Sequence, residues 1–189
     1  MTATVMGWKH VFIKKTYLDK TIESLIFFQD KKDVMTAGYC IMPNHFHWVF
    51  KLPKRNQNIA KVIRTFKSYI ATQVLKGLKI ESTKGEASLY KPFKCSPNVT
   101  RETAEQLLRY FAQLAENVPD QSHRFWQQDS DLKIVESVDF LKQKLEYIHN
   151  NPVQPQWNLV ENPSDYQYSS CRFYDVGADW NGIQLVVLW

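Results

Sequence analysis

Two histidines in the first third of the sequence could bind a metal ion. His45 and His47 alternate with large apolar residues in the stretch HFHWVFKL at 45–52. Because the side chains of a strand alternate between its two faces, we expect both imidazoles on one face, opposite Phe46 and Trp48. Two neighbouring imidazoles can bind one divalent ion. Alternatively, both histidines are ordinary polar residues of an exposed sheet face.

A predicted helix near residue 147 carries a tyrosine with polar neighbours. Asn151 follows Tyr147 by four residues and Lys144 precedes it by three, so all three share one helix face. His149 lies about 200° round the helix from Tyr147, which favours Asn151 over His149 as a third metal ligand. Taken alone, a tyrosine at a helix edge is more often a packing residue with its hydroxyl in water.

The composition is that of a folded domain that can bind nucleic acid. Of 189 residues, 44% are hydrophobic and 23% charged, and no apolar run reaches the roughly 18 residues of a membrane span. Cys40, Cys95 and Cys171 are widely spaced, which indicates neither a disulfide framework nor a cysteine zinc site. The net charge of +5, combined with the many aromatic residues, is compatible with nucleic-acid binding, because cations bind phosphates and rings stack on unpaired bases.

The elements predicted in the first half place the two histidines on a strand. Strands are expected at 8–14, 34–41 and 45–52. A helix is expected at 21–29, capped by Asp19 or Thr21, and a second from Asn56 or Asn58 to about Lys76, ended by Gly77. The order strand, helix, strand, strand, helix, strand predicts an α+β fold, a ferredoxin-like split β-α-β antiparallel sheet with helices on one face, plus additional C-terminal helices.

The second half supplies the tyrosine helix. An irregular loop at 78–99, a helix from Thr100 to about Asn117 and a short aromatic strand at 123–128 are expected before it. The tyrosine helix itself is predicted at 131–150, and a closing strand at 183–188. Its apolar stripe consists of Ile134, Val138, Leu141, Leu145 and Ile148. We expect a single domain, 1–189, in which 78–117 forms a loop-plus-helix elaboration.

Several basic residues and one tryptophan are candidate DNA contacts. Lys61, Arg64 and Lys67 lie off the apolar stripe of the second helix and could contact phosphates, as could Lys144. Trp126 could stack on a base. Equally, the helix face could be merely solvated and the tryptophan part of the core.

The motifs resemble those of a known enzyme family. MPNHFH at 42–47 resembles the signature of the HUH endonucleases, in the form carried by single-tyrosine insertion-sequence transposases and the related REP-associated tyrosine transposases. FWQ at 125–127, YIHNNPV at 147–153, DY at 165–166 and YSS at 168–170 follow in the family's order. Each motif alone is modest, and together they are specific.

This resemblance implies a mechanism and a set of roles. His45 and His47 would hold Mg²⁺ or Mn²⁺, Tyr147 would be the nucleophile, and the residue four positions later would complete the metal site. Many insertion-sequence members have Gln there, whereas Asn151 is what REP-associated relatives tend to have. The implied activity is cleavage and rejoining of single-stranded DNA at hairpin-flanked sites through a 5′-phosphotyrosine. A bacterial cytoplasmic protein without membrane partners is implied, either a monomer or a homodimer.

Two other functions are compatible with the same residues. One is a metal-dependent phosphodiesterase that uses water and leaves Tyr147 a structural role. The other is a catalytically inactive or domesticated protein that binds hairpin DNA and no longer cuts it. A purely structural basic domain would not explain why separate motifs occur in the family's order.

Overall fold

A three-stranded antiparallel sheet forms the centre of the fold. The computed structural model describes residues 1–54, 57–84, 102–128 and 130–188. The strands are β1 (Thr2–Thr4), β2 (Met35–Ile41) and β3 (His45–Lys51), in the spatial order β1-β3-β2. The histidine strand is therefore central and paired on both sides. The strands predicted at 34–41 and 45–52 are confirmed to within one residue.

One face of the sheet packs against two long helices. Phe46 and Trp48 of β3 lie against Phe66, with ring centroids 5.2 and 4.4 Å away, and Trp48 also contacts Phe28. These partners belong to α1 (Lys15–Lys32) and α2 (Ile59–Lys84). Phe46 and Trp48 on the apolar side of β3 are thus fully buried, and the histidines are on the opposite side, as the alternation predicts.

The beginning of the chain differs from the prediction. Residues 8–14 are not a strand, and the first strand is Thr2–Thr4, which pairs with 45–47 of β3. Val11 and Phe12 are buried as a packed loop, with the Phe12 N–H donating to the Pro43 carbonyl. Aromatic and β-branched residues there reflect burial rather than sheet pairing. Helix α1 begins at Lys15, so Thr21 is an interior residue whose hydroxyl donates to the Tyr17 carbonyl.

Helix α2 is longer than predicted because Gly77 does not end it. The helix continues to Lys84, so the predicted loop is wrong from 78 to 84. A Cβ added at Gly77 would lie 2.6 Å from Cε1 of the buried Tyr17. Glycine is therefore required here for close packing of α2 on α1, not as a helix terminator.

Between α2 and the tyrosine helix, the residues that the structure describes form one short helix and no regular strand. Helix α3 (Ala104–Gln113) has a capping box in which Thr103 and Gln106 satisfy each other's backbone N–H groups. The cap is therefore Thr103, and the predicted cap Thr100 lies outside the described residues, as do 85–101 of the predicted 78–117 elaboration. The aromatic strand expected at 123–128 is reduced to a single bridge between Trp126 and Val5.

The tyrosine helix, α4 (Val138–His149), packs on the histidine face of the sheet. It starts seven residues later than predicted, because the Ser137 hydroxyl accepts from the Phe140 N–H and caps it there. Ile134 consequently lies outside the helix and is 76% exposed. A Cβ added at Gly38 of β2 would lie 2.3 Å from the Leu145 methyl, which shows how closely the two elements pack.

Short elements complete the chain. Helical turns at Asn151–Val153 and Pro163–Asp165 precede α5 (Cys171–Val176), and the closing strand predicted at 183–188 is only a bridge between Leu185 and Thr36. An antiparallel sheet with helices confirms the predicted α+β class. In the ranges described above, no helix is long and apolar enough to cross a membrane.

Candidate metal and nucleophile site

The two histidines meet through their Nε2 atoms. His45 Nε2 and His47 Nε2 lie 3.1 Å apart, and the two rings are nearly perpendicular, at 84°. In an octahedral shell, two nitrogens each about 2.1 Å from one ion lie about 3 Å apart. The spacing of the two nitrogens therefore fits two ligands of a single divalent ion.

The other nitrogen of each ring is held by a polar side chain. His45 Nδ1 lies 2.7 Å from Asn44 Oδ1, and His47 Nδ1 lies 2.9 Å from Thr2 Oγ1. Hydrogen bonds to the non-ligating nitrogen are what orient metal-binding histidines in proteins. Neither Thr2 nor Asn44 was among the predicted site residues. Asn44 lies within the motif itself, whereas Thr2 becomes a neighbour only through the β1–β3 register.

Burial keeps both imidazoles neutral. His45 is 8% exposed and His47 4% exposed. Burial, together with the nearby His10, lowers the pKa of His45 from 6.5 to about 4. Burial, with the charges of His45, the N-terminus and Lys144, lowers the pKa of His47 well below its usual range. Neutral rings have a lone pair to offer a cation, so their chemistry suits metal binding.

Tyr147 stands beside this pair with its ring open to solvent. Its ring centroid is 5.7 Å from that of His47 in an edge-on arrangement, and the residue is 59% exposed. Lys144, one turn earlier on α4, places its ammonium 5.7 Å from the Tyr147 ring centroid. The predicted nucleophile, one predicted ligand and the predicted lysine are thus neighbours, although they come from separate parts of the sequence.

Asn151 and His149 have different hydrogen-bond partners. The Asn151 amide nitrogen donates to the Tyr147 carbonyl at 2.9 Å, so its oxygen is the end left for another partner. His149 Nε2 lies 2.8 Å from the Ser170 hydroxyl, which is bonded to the backbone of Tyr39. Burial lowers the pKa of His149 to about 4. The helical projection that separated His149 from Tyr147 is consistent with this arrangement.

The residues near the two histidines limit which other side chains could bind the same ion. Among the residues that the structure describes, no three His, Cys, Asp or Glu side chains come together in a way that could hold a metal. A third ligand contributed by the described residues would therefore be of another type, such as the amide oxygen of Asn151.

A pocket of about 530 Å³ opens beside His47 and Tyr147. Its walls are residues 47–51 of β3, the start of α4 and the extended segment 131–137, in which Leu132, Ile134 and Val135 are exposed. Lys51, Lys133 and Lys144 also line it. The apolar pattern of the sequence predicts 131–137 as part of the tyrosine helix. The capping residue Ser137 was the signal that could have identified this segment as a separate pocket wall.

Of the predicted DNA contacts, two are exposed on α2 and two make contacts within the protein. Lys61 and Arg64 are on the exposed face of α2, two turns or less from Ile59, which lines the pocket. Lys67 instead donates to the Gln127 carbonyl and the Ser130 hydroxyl, and thereby anchors the segment leading to the pocket wall. Trp126 is 9% exposed, stacks on Phe12 and donates its indole N–H to the Lys67 carbonyl. A packing role accounts for Trp126.

Comparison with known proteins identifies the family and the fold. Residues 4–114, more than half of the chain, match the family of IS200-like transposases. The chain therefore belongs to this family, and the family expected from the motifs is confirmed. The matched span includes His45 and His47, whereas Tyr147 and Asn151 lie beyond it. No curated protein sequence matches the chain significantly.

A solved structure shares the fold. It is described as the REP associates tyrosine transposase bound to a REP hairpin, and it aligns with 100% of this chain and 86% of its own. The TM-score is 0.55 and the sequence identity 13%. At this identity the likeness establishes the common architecture, including the elements beyond residue 114.

Proposed function

We propose that this transposase cleaves and rejoins single-stranded DNA at hairpin-flanked sites through a covalent 5′-phosphotyrosine at Tyr147. A Mg²⁺ or Mn²⁺ ion would be held by His45, His47 and Asn151. The main support is the pair of Nε2 atoms 3.1 Å apart, together with the edge-on contact between the rings of Tyr147 and His47. A REP hairpin in the solved structure of the same fold supports a hairpin substrate.

The proposed reaction exchanges one phosphodiester bond of the DNA for a bond between phosphorus and the Tyr147 oxygen. The Tyr147 hydroxyl attacks phosphorus and loses its proton as the new bond forms. The bond from phosphorus to the 3′-oxygen breaks, and that oxygen takes up a proton to become a free 3′-hydroxyl. Because a phenolate leaves more readily than an alkoxide, attack by another 3′-hydroxyl reverses the link. Strands are thereby exchanged without an external energy source.

The protein's contribution is to hold these groups together. When bound, a divalent ion would polarise the scissile phosphate and offset the negative charge that builds on its oxygens. Two imidazoles and one amide oxygen leave positions open for phosphate and water, which suits Mg²⁺ or Mn²⁺ better than a closed zinc site. Lys144, beside the tyrosine, would attract the DNA backbone to the same place.

The pocket next to Tyr147 has the surface that unpaired DNA requires. Apolar side chains from 131–137 offer contacts for base faces, and the lysines of the wall offer contacts for phosphates. Lys61 and Arg64 of α2 would extend this basic surface. Duplex DNA offers no free base faces to such a wall, so single-stranded DNA beside a hairpin is the expected substrate.

The test is capture of the covalent link. Wild-type protein incubated with labelled hairpin DNA that has single-stranded flanks, in the presence of Mn²⁺, should keep the label after denaturation. Tyr147→Phe removes only the hydroxyl, so the adduct should disappear while DNA binding persists. Tyr69→Phe is the matched control, because Tyr69 is also an exposed helix tyrosine but lies on α2.

The alternatives give different results in the same experiment. DNA cleavage by the wild type without any adduct would favour the phosphodiesterase that uses water. Hairpin binding with neither cleavage nor adduct would favour the inactive DNA-binding protein. An adduct that survives Tyr147→Phe would assign the nucleophile to another residue.

A further inference from the structure

The two histidines differ in the kind of group that holds their Nδ1 atoms. His45 Nδ1 faces an amide oxygen of Asn44, and His47 Nδ1 faces the hydroxyl of Thr2. An amide oxygen can only accept a hydrogen bond, whereas a hydroxyl can accept or donate one. The two rings therefore differ in the tautomers open to them.

The orientation of Asn44 determines the tautomer of His45. The Asn44 amide lies between His45 and the carbonyl oxygen of Trp8, with Nδ2 3.3 Å from that oxygen. A carbonyl can only accept, so the NH₂ end of the amide must face Trp8 and the oxygen must face His45. His45 consequently has its proton on Nδ1 and presents a lone pair at Nε2.

This lone pair determines which nitrogen of His47 carries the proton when no ion is bound. The two Nε2 atoms are 3.1 Å apart, a distance at which two lone pairs would repel and at which an N–H donor makes an ordinary hydrogen bond. A neutral His47 would therefore have its proton on Nε2 and donate it to His45. Its Nδ1 then accepts a hydrogen bond from the Thr2 hydroxyl.

We propose, on the basis of the metal site proposed above, that His47 changes tautomer when a divalent ion is bound and that Thr2 is the positioning residue that permits the change. The proton on Nε2 is released to water and another is taken from water at Nδ1, so the ring stays neutral. The Thr2 hydroxyl keeps its own proton and changes from donor to acceptor. Thr2 lines the open pocket, so its O–H can turn towards water.

Nitrogen-15 NMR of the histidine side chains tests the tautomers directly. In metal-free protein at pH 7.5, His45 should be the Nδ1–H form and His47 the Nε2–H form. Saturating MgCl₂ should convert His47 to the Nδ1–H form and leave His45 and His149 unchanged, with binding followed independently by calorimetry. His149 is the internal control because it bonds to Ser170.

The outcomes separate this inference from the proposed function. If Mg²⁺ binds and His47 keeps its Nε2 proton, or already has its proton on Nδ1 beforehand, the tautomer change is wrong and the metal site stands. If neither Mg²⁺ nor Mn²⁺ binds, the metal site itself is wrong, whatever the tautomers of the metal-free protein.

Variants of Thr2 test its role independently of catalysis. Thr2→Val has nearly the same shape but no hydroxyl, and should raise the Kd for Mn²⁺, measured by electron paramagnetic resonance, about tenfold. A ring bound to a cation donates a stronger hydrogen bond than a neutral ring accepts, so the bound state loses more. Thr2→Ser should restore the affinity. Thr4→Val, opposite His45 on the same strand, is the control, and wild-type affinity in Thr2→Val would overturn the role of Thr2.

Discussion

At the scale of single residues, burial makes the histidine pair ready for a cation. Solvated imidazoles would be partly protonated near neutral pH, whereas the lowered pKa values of His45 and His47 keep both rings neutral, so that each ring has one nitrogen lone pair. The same burial would be unfavourable if the facing nitrogens had nothing to bind. A proton or a metal ion between them removes that penalty.

The corresponding prediction concerns metal affinity. Replacing His45 and His47 together by Ala should abolish Mn²⁺ binding in calorimetry, because the amide of Asn151 alone cannot hold the ion. His123→Ala is the matched control, since this histidine bonds to Ser122 outside the site. Circular dichroism should show that both proteins are folded. Mn²⁺ binding of normal strength by the double variant would rule out the site.

The grouping of the candidate site residues could be predicted from the sequence, whereas the contact between Thr2 and His47 could not. Alternation along 45–52 was enough to put His45 and His47 on one face, and helical spacing was enough to group Lys144 with Tyr147. The pairing of Thr2 with His47 depends on a strand register that joins residues 45 positions apart. No local pattern of amino acids specifies that register.

At the scale of elements, the distance between α4 and the sheet determines where Tyr147 stands. Gly38 lies on β2 at an irregularity of the β2–β3 register, directly under Leu145. With no side chain at Gly38, the helix can come close enough for Tyr147 to reach the ring of His47. Glycine at position 38 therefore helps to bring Tyr147 next to His47.

We therefore predict strong coupling between Gly38 and Leu145. Gly38→Ala should lower the free energy of unfolding by about 1–3 kcal/mol, the usual range for overpacking a core. In the Leu145→Ala background the same change should be smaller by about 1 kcal/mol or more, because the clashing methyl is gone. Urea denaturation of the four proteins measures this double-mutant cycle. Equal effects of Gly38→Ala in both backgrounds would show that the helix adjusts without cost.

Helix boundaries were predicted less well than helix existence, for one long-range and one local reason. Gly77 looked like a terminator, but it is a contact point with the distant Tyr17. Ile134 looked like a helix position, but it lies before the local cap formed by Ser137 on Phe140. In each case the apolar pattern alone was compatible with two boundaries.

At the scale of the whole molecule, the basic residues lie along a surface that leads from α2 to the pocket. Lys61 and Arg64 face solvent on α2, and the lysines of the pocket wall lie near the start of that helix. Such an arrangement would guide a phosphate backbone across α2 towards Tyr147. It would also make DNA affinity depend on salt, because bound phosphates release counterions.

This charge distribution gives a prediction with a matched control. Replacing Lys61 and Arg64 by Gln should weaken binding of single-stranded hairpin DNA and reduce the slope of log affinity against log salt by about 1.4, roughly 0.7 per lost phosphate contact. Replacing Lys31 and Lys32, in the last turn of α1, by Gln removes the same charge elsewhere. Fluorescence anisotropy between 50 and about 200 mM salt measures both. Identical slopes for the two variants would mean that only net charge matters.

The central position of β3 has a consequence for how the molecule opens. The backbone of 45–47 is hydrogen-bonded to β1 on one side and to β2 on the other, so exposing all of its amide protons to solvent requires both neighbouring strands to separate from it. Helix α4 is held against the sheet by the buried side chains of Leu141, Leu145 and Ile148. The histidines are thus fixed by the backbone of the sheet, whereas the position of Tyr147 depends on side-chain packing. In the proposed reaction, this packing would place a DNA end joined to Tyr147 beside the ion-binding histidines.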